Sequence, residues 1–244
     1  MLRVGLLNYA SEATVTASIE PLGHTSTSVI DHTVASWVGT NACTLTLTWA
    51  SSKVIDLLTV HRIKIVTNVT ITGKLATVTQ FSDTFTNTDL NGIDIKSLYT
   101  GFSGTIDELI FSFTGTGSPE IGYIWAGTKQ DILFEKIQIV DNSADITSIS
   151  LGGFSNVSKR TSFRTYQVTL QKMVFETQRT WIRNILATGY GLPRPYIVLA
   201  DSCLVDDAML GILDSGKFQY DIFDTRPDRM TNITISIAEV FGGV

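Results

Sequence analysis

Short runs in which apolar and polar residues alternate fill the first half of the chain. The run Leu45-Thr46-Leu47-Thr48-Trp49 puts every second side chain on one face of a strand and the others on the opposite face. Similar runs, separated by Gly, Asn, Asp and Ser, occur at residues 44–48, 54–60, 62–66, 69–72, 75–79, 109–113 and 120–125. Short strands at this spacing predict a β-sandwich or jelly roll.

The second half of the chain has a different pattern. After a looser stretch at residues 128–145, the alternating residues 164–174 predict one long strand. Thr177 can cap a helix and Gly189 can end it, and between them four apolar residues recur at helical spacing: Trp181, Ile182, Ile185 and Leu186. Burial of these four side chains on a sheet, at about 1.5 to 3 kcal/mol each, would stabilise so short a helix. We predict one helix at about 177–188, and a last strand at 231–240.

The composition is that of a globular protein with few charges. Of 244 residues, 43% are hydrophobic and 17% are charged, and the net charge is −5. Nucleic-acid binding normally rests on clustered Lys and Arg, whereas the 18 basic residues here are scattered and outnumbered by 23 acidic ones. No apolar run reaches the length of a membrane span, and the N-terminus lacks a secretory signal. We therefore expect a soluble protein made in a cytoplasm, with no nucleic-acid partner and no membrane insertion.

Residue types that carry catalysis or bind metals do not occur at the spacing that such sites need. His24, His32 and His61 are far apart and belong to no His-Glu-x-x-His helix. Asp201 with the pair at 206–207 lacks the spacing of a calcium loop, and we interpret it as a solvated turn. Neither a paired-carboxylate motif nor a nucleophile elbow is evident. The sequence predicts a non-catalytic protein with no metal and no cofactor.

Aromatic residues of the first half allow two interpretations. Large rings dominate protein cores, but exposed rings also stack against sugars. Core packing is the first interpretation for all five: Trp37, Trp49, Tyr99, Tyr123 and Trp125. Trp37 and Tyr99 are in addition candidates for facing a glycan. Cys43 and Cys203 lie one in each half, and we expect buried thiols and not a disulfide.

One segment of the first half resembles a family signature. Val29-Ile30-Asp31-His32-Thr33-Val34-Ala35-Ser36-Trp37 is similar to the leucine and aspartate, followed six residues later by tryptophan, of galactose-binding-like or discoidin-type jelly rolls. The resemblance implies that residues 11–130 form such a galactose-binding-like jelly-roll sandwich. The family usually has a Gly and a second Asp after the first Asp, where this chain has His32 and Thr33. We therefore expect no loop-bound cation.

A second resemblance covers most of the chain. Glu120-Ile121-Gly122-Tyr123-Ile124-Trp125-Ala126-Gly127 resembles the end of such a domain in phage minor tail proteins. The second half resembles those proteins in the order of its parts: a long strand at 160–174, a helix, a Gly-x-Pro-x-Pro motif at 191–195, a strand ending in Asp201, and a last strand ending in Glu239-Val240. This order implies a distal tail or baseplate protein. Residues 1–10 with 131–244 would then form a tail-tube-like β-barrel carrying the one helix.

By that resemblance the protein would be a structural virion protein of a phage tail tip, assembled in the bacterial host cytoplasm. Its barrel would form a homo-oligomeric ring, often hexameric, and its partners would be the tail tube protein, the tail hub, and tape measure or fibre proteins. Tyr190, Arg194 and Tyr196, which follow the helix, are the candidate subunit contacts. Two alternatives stay open: a carbohydrate-binding module that attaches to a host surface glycan, and a head-decoration protein.

Overall fold

The computed structural model describes residues 1–31, 35–86, 96–142, 146–149, 155–158, 163–170, 173–174, 180, 183–184, 193–198, 208–213, 219–220, 230–231 and 233–240. The chain divides into two compact units. One, the sandwich unit, comprises Arg3–Asp131 and Arg194–Met209, and the second unit comprises Met1–Leu2, Ile132–Pro193 and Leu210–Val244. Residues 3–10 thus group with the sandwich unit, whereas the domain boundaries 1–10 with 131–244 and 11–130 stay a prediction.

The described residues are mainly β. Short 3₁₀ turns occupy Ala10–Glu12 and Ser26–Ile30. The strands are β1 (Leu2–Asn8), β2 (Thr14–Ala17), β3 (Trp37–Val38), β4 (Cys43–Ile55), β5 (Leu57–Lys64), β6 (Asn68–Leu75), β7 (Val78–Thr86), β8 (Lys96–Thr100), β9 (Gly104–Thr114), β10 (Glu120–Ile132), β11 (Phe134–Asn142), β12 (Ile146–Ile149), β13 (Ser155–Ser158), β14 (Phe163–Leu170), β15 (Met173–Val174), β16 (Arg194–Val198), β17 (Ala208–Leu213), β18 (Gln219–Tyr220), β19 (Met230–Thr231) and β20 (Ile233–Glu239).

Five strands of the sandwich unit form one antiparallel sheet in the order β2-β4-β9-β6-β7. β4 pairs with β9 so that Leu47 lies opposite Leu109, and both side chains are fully buried. The threonines on either side of Leu47 point to the opposite face, because successive side chains alternate along a strand. The strands predicted at 44–48 and 109–113 are therefore confirmed.

A second sheet of the same unit has the order β16-β1-β10-β5-β8, and β3 adds to β10. β5 and β10 are antiparallel, with Leu57 opposite Gly127 and Lys64 opposite Glu120. The inner faces of the two sheets share one hydrophobic core, whose fully buried members include Leu45, Leu47, Ile71, Phe111, Leu58, Val60 and Ile124. Each such side chain contributes about 1.5 to 3 kcal/mol. This face-to-face packing is a β-sandwich, as the alternating pattern predicted.

The core also holds a free thiol. Cys43 is 4% exposed, and burial raises the pKa of its thiol. Its Sγ lies against Gly39, where a Cβ would collide with the sulfur. The expectation of a buried thiol is confirmed for Cys43, whereas Cys203 lies outside the described residues.

A two-residue hairpin turn joins β6 and β7 where the sequence predicted a strand at 75–79. Leu75 pairs with Val78, and Ala76 and Thr77 between them have φ of 47° and 75°. Both values are left-handed, a conformation that costs a non-glycine residue about 1 to 3 kcal/mol. The Ala76 amide donates to Oδ2 of Asp107 over 2.9 Å. The strand prediction is wrong here because Ala-Thr has neither the Gly nor the Asn that marks such turns.

In the second unit, β14 pairs antiparallel with β11 and with β20, and β20 also pairs with β17. Tyr166 and Val168 of β14 are buried. Residues 128–145 were predicted to be a looser stretch, but β10 continues to Ile132 and β11 begins at Phe134. The single strand predicted at 164–174 is divided into β14 and β15.

Two predicted features of the second unit stay predictions. Of the helix at 177–188, the structure describes Thr180, Arg183 and Asn184, which are helical, and the remainder lies outside the described residues. The tail-tube-like barrel also stays a prediction. Within the part of the chain that the structure describes, no helix is both long and apolar enough to cross a membrane.

Candidate functional site

Trp37, predicted as one glycan-facing ring, is a core residue. Its side chain is 0% exposed, and its indole Nε1 donates to the Ile19 carbonyl over 3.0 Å. The ring centroid lies 5.9 Å from that of Phe113. Trp37 therefore offers no ring face to a ligand, because β3 places it between the two sheets, where burial of a large aromatic surface is favourable.

The predicted subunit contacts are not surface residues where the structure describes them. Arg194 and Tyr196 are 2% and 0% exposed. Nη1 of Arg194 lies 3.4 Å from the Gly5 carbonyl, and burial lowers the pKa of Arg194. Burial raises the pKa of Tyr196. Both residues lie in β16, next to β1 in the sheet. Tyr190 lies outside the described residues.

The histidines occupy two different environments. His24 is exposed, and its Nδ1 lies 3.1 Å from the Ser36 carbonyl. His61 is 1% exposed, and its Nε2 lies 2.9 Å from the hydroxyl of Thr59. His32 and the aspartates at 201, 206 and 207 lie outside the described residues. Among the residues that are described, no group of three or more His, Cys, Asp or Glu could hold a metal ion.

A strained arginine marks one end of the sandwich unit. Arg62 has φ of 55°, a left-handed value that is rare for a side chain of this size. Gly122 lies opposite it in β10, and a Cβ built on Gly122 would come within 2.6 Å of the Arg62 Cβ. Only glycine therefore leaves room for this turn of the backbone. Strain of this kind concentrates at ligand and active sites, so the position is a candidate site.

Arg62 belongs to a chain of polar contacts, which we call the Arg62 site. Its Nη2 lies 3.8 Å from Oε1 of Glu120, in an ion pair whose side chains are 13% and 20% exposed. The same Glu120 oxygen accepts a hydrogen bond from the hydroxyl of Ser36, whose carbonyl faces His24. Four residues from three separate segments are thus connected at the end of the sandwich where the loops before β3 and β10 meet.

A tight turn presents an apolar residue next to this chain. The His24 amide donates to the Pro21 carbonyl over 3.1 Å, and Gly23 has φ of 84°. These values describe a turn whose third position needs glycine. Leu22, at the second position, is 103% exposed. The turn therefore exposes an aliphatic side chain at its second position and an imidazole at its fourth.

Tyr99, the second predicted ring, lies on the outward face of the second sheet. It pairs across strands with Thr59, which pairs in turn with Trp125, and His61 lies opposite Tyr123. We call these five residues the aromatic face. Tyr99 is half-buried, and the Arg3 guanidinium lies 5.6 Å from its ring centroid and donates to its hydroxyl. Tyr99 therefore stays a candidate for contacting a ligand, and a charged side chain, that of Arg3, lies against it.

The Arg62 site was missed by sequence reasoning. Neither the ion pair nor the left-handed backbone is visible in local sequence, because both depend on which strand lies opposite. The available signal was Gly122 inside an otherwise apolar strand, since a glycine there marks a bulge or a close approach. The donors and acceptors of the Arg62 site suit hydrogen bonding to a polar ligand.

These features define a β-sandwich module with candidate ligand sites at a loop end and on one outward face. No protein-family model matches the sequence, and no curated protein does. Several solved structures of carbohydrate-binding modules are similar to about half of the chain.

One is the family 32 carbohydrate-binding module of C. perfringens NanJ in complex with galactose, at 14% identity over 51% of this chain and 98% of that chain, with a TM-score of 0.40. A fucose-binding module of Streptococcus pneumoniae is 11% identical over 51% of this chain and 100% of its own, with a TM-score of 0.43. A chitosan-binding module of a Paenibacillus sp. IK-5 chitosanase/glucanase is 15% identical over 50% and 99%, with a TM-score of 0.41.

Proposed function

We propose that the sandwich unit is a carbohydrate-binding module that holds a glycan at the Arg62 site. The observation that carries the proposal is the left-handed backbone of Arg62, accommodated by Gly122 and paired with Glu120. A strained residue persists only where its surroundings hold it, and such residues cluster where a side chain must be aimed at a ligand.

The donors and acceptors of the site suit sugar hydroxyls. The Arg62 guanidinium only donates and the Glu120 carboxylate only accepts, whereas each hydroxyl of a sugar can do both. Two neighbouring hydroxyls can therefore bind the two side chains at once. His24 adds its Nε2 on the exposed side, because its Nδ1 faces the Ser36 carbonyl. Leu22 offers an aliphatic surface to the C–H face of the sugar ring.

Binding of the full chain to a panel of neutral and acidic glycans, followed by calorimetric titration of the best ligand, tests the proposal. The decisive variant is Arg62→Gly, because glycine relieves the left-handed strain while it removes the guanidinium. We expect this variant to unfold at the same or a higher temperature and to lose at least tenfold in affinity. That loss corresponds to one charge-assisted hydrogen bond, which is worth about 1.5 to 3 kcal/mol.

Two further variants complete the test, the second of them as a control. His24→Ala removes an exposed ring and is expected to weaken binding several-fold at unchanged stability. Lys74→Ala removes a cation from the five-stranded sheet, where Lys74 pairs with Glu108 over 3.1 Å, and is expected to leave binding unchanged. Unaltered glycan affinity in Arg62→Gly, or no glycan bound by the full chain, would contradict the proposal.

The tail-tip ring subunit stays a prediction of the sequence, as do the virion location, the tail partners and the absence of catalysis. No described contact carries it. Light scattering of the full chain tests the ring directly: a closed oligomer supports it, and a monomer at all concentrations contradicts it.

A further inference from the structure

The aromatic face has a polar cluster of its own at the side of Tyr99. Nε of Arg3 lies 3.5 Å from Oδ1 of Asp131, and Nζ of Lys129 lies 3.2 Å from Oδ2 of the same carboxylate. Asp56 is close enough to Lys129 and Asp131 for both to affect its pKa, which burial raises. All of these residues belong to the sandwich unit.

Four buried polar atoms of this cluster and of Trp125 make no hydrogen bond among the described residues, although two of them face each other in the ion pair of Arg3 with Asp131. They are Nε of Arg3, Oδ1 of Asp56, Nε1 of Trp125 and Oδ1 of Asp131. Leaving such atoms unsatisfied costs free energy, so water, an ion or a ligand is expected to bind them. The set contains two donors and two acceptors.

Trp125 adds a buried donor that the ion pairs of the cluster do not involve. Its side chain is only 5% exposed, and its cross-strand partner Thr59 connects it with Tyr99. A Cβ on Gly5 would lie 2.7 Å from Cε2, the ring atom bonded to Nε1. The indole N–H therefore lies over β1, two residues along the strand from Arg3, on the face that the Arg3 side chain crosses to reach Tyr99.

We propose that this cluster, the Tyr99 site, binds a neutral polyhydroxylated ligand such as one sugar residue, independently of the Arg62 site. A ligand hydroxyl that displaces the 3.5 Å contact between Arg3 Nε and Asp131 Oδ1 accepts a hydrogen bond from the first and donates one to the second, once the two side chains move apart. The two cations of the cluster, Arg3 and Lys129, are balanced by the carboxylates of Asp56 and Asp131. A charged ligand would therefore be attracted by one pair and repelled by the other to a similar extent.

The two sites are distinct positions on one sheet. Asp56 immediately precedes β5 and Arg62 lies near its other end, about 20 Å away at the rise of an extended strand. A glycan with several identical residues could therefore occupy both sites, or one site could be lost while the other still binds. Experiments on the second site are best made in the Arg62→Gly protein, so that failure of one proposal does not imply failure of the other.

The test is a titration of full-length, ¹⁵N-labelled Arg62→Gly protein with D-galactose, D-glucose and N-acetylglucosamine, followed by the indole N–H signals. Trp125→Phe assigns the signal of Trp125. We expect a saturable shift of that signal with at least one neutral sugar, and weaker shifts with glucuronate and glucosamine. Asp131→Asn, which keeps the shape of the side chain, is expected to weaken binding at least tenfold.

Glu108→Gln is the matched control, because it neutralises a carboxylate on the five-stranded sheet and is expected to leave the titration unchanged. The proposal is overturned by the absence of a saturable Trp125 shift with all three neutral sugars, by unchanged affinity in Asp131→Asn with a native spectrum, or by tighter binding of either charged sugar. Glycan affinity at least tenfold weaker in Arg62→Gly, with the Trp125 shift retained, would support both sites.

Discussion

The two outward faces of the sandwich unit differ although their strands are built alike. On the five-stranded sheet the outward face is a layer of hydroxyl groups, which we call the threonine face: Thr14, Thr16, Thr44, Thr46, Thr48, Thr70, Thr72, Ser82, Thr84 and Ser112. Its side chains are exposed or half-exposed, and Oγ1 of Thr70 lies 3.0 Å from that of Thr84. On the aromatic face, by contrast, Thr59, His61, Tyr123 and Trp125 are 0%, 1%, 1% and 5% exposed.

The difference shows that an outward position in a sheet is not necessarily a surface position. Water satisfies the hydroxyls of the threonine face, so each of them contributes little to stability. Polar atoms of the aromatic face must find partners within the protein or a ligand. Substitutions on the two faces are therefore expected to have very different effects.

Truncation of the largest side chain on the aromatic face is expected to have the largest effect. Trp125→Ala should lower the free energy of unfolding by about 3 to 5 kcal/mol, because it leaves a cavity against Gly5 and Thr59. Ile110→Ala, in the centre of the threonine face, should cost at most about 1 kcal/mol. Denaturant unfolding measures both. Equal losses would mean that the two faces are buried to the same extent in solution.

One substitution made on both faces gives the sharpest contrast. Thr59→Val removes the hydroxyl that lies 2.9 Å from His61 Nε2 and is expected to cost about 1 to 3 kcal/mol. Thr72→Val removes a hydroxyl that lies 3.3 Å from that of Ser82 and is expected to change stability by less than about 0.5 kcal/mol. The two valine variants are compared by urea unfolding at equal pH. A cost for Thr72→Val as large as that for Thr59→Val would remove the distinction.

The hairpin at the end of the threonine face should be improvable. Ala76→Asn with Thr77→Gly replaces two strained left-handed residues by those that favour this turn, and we expect a gain of about 1 kcal/mol. The backbone amide of residue 76 keeps its hydrogen bond to Asp107 in the variant. Thermal unfolding provides the measurement, and Thr77→Ala alone is the control without a gain. A lower unfolding temperature in the double variant would argue against the left-handed turn.

The smallest effect concerns the charge at the edge of the aromatic face. Burial raises the pKa of Asp56 above its ordinary 3.8, so the folded protein holds this proton more tightly than the unfolded chain. Stability contributed by the proton is present at low pH and is lost as pH rises through the window above 3.8. Asp56→Asn should therefore stabilise the protein at pH 7 and have no effect near pH 3. A stabilisation that is independent of pH would contradict this assignment.

Sequence patterns predicted the threonine face better than the aromatic face. Thr44, Thr46 and Thr48 alternate with buried residues, so one period of two identified the strand and its sides. Along β10, residues 121–127 are all buried, and such a run does not reveal which side faces the other sheet. Trp37 and Tyr99 were likewise equivalent candidates in the sequence, and the structure separates them because Trp37 is buried in the core whereas Tyr99 is half-buried on the outward face.

The candidate sites depended on tertiary structure more than the strands did. Arg62 and Glu120 are brought together by the pairing of β5 with β10, and Arg3 and Tyr99 by the order of four strands. Neither pair of residues is close in the sequence, so no local pattern predicts these contacts. The turn at Ala76 and Thr77 could not be predicted because its residues contradict the usual turn preference, which tertiary contacts override.

Because Cys43 is buried in the core, the rate at which its thiol is alkylated reports how often the core opens. A thiolate reacts with alkylating reagents and a buried thiol does not, so native Cys43 is protected while the two sheets remain packed. In a Cys203→Ala background, the labelling rate at rising reagent concentration would approach the rate at which the sandwich separates near Gly39. A bound glycan should lower the rate of Cys43 alkylation only if separation of the two sheets also disrupts the glycan site.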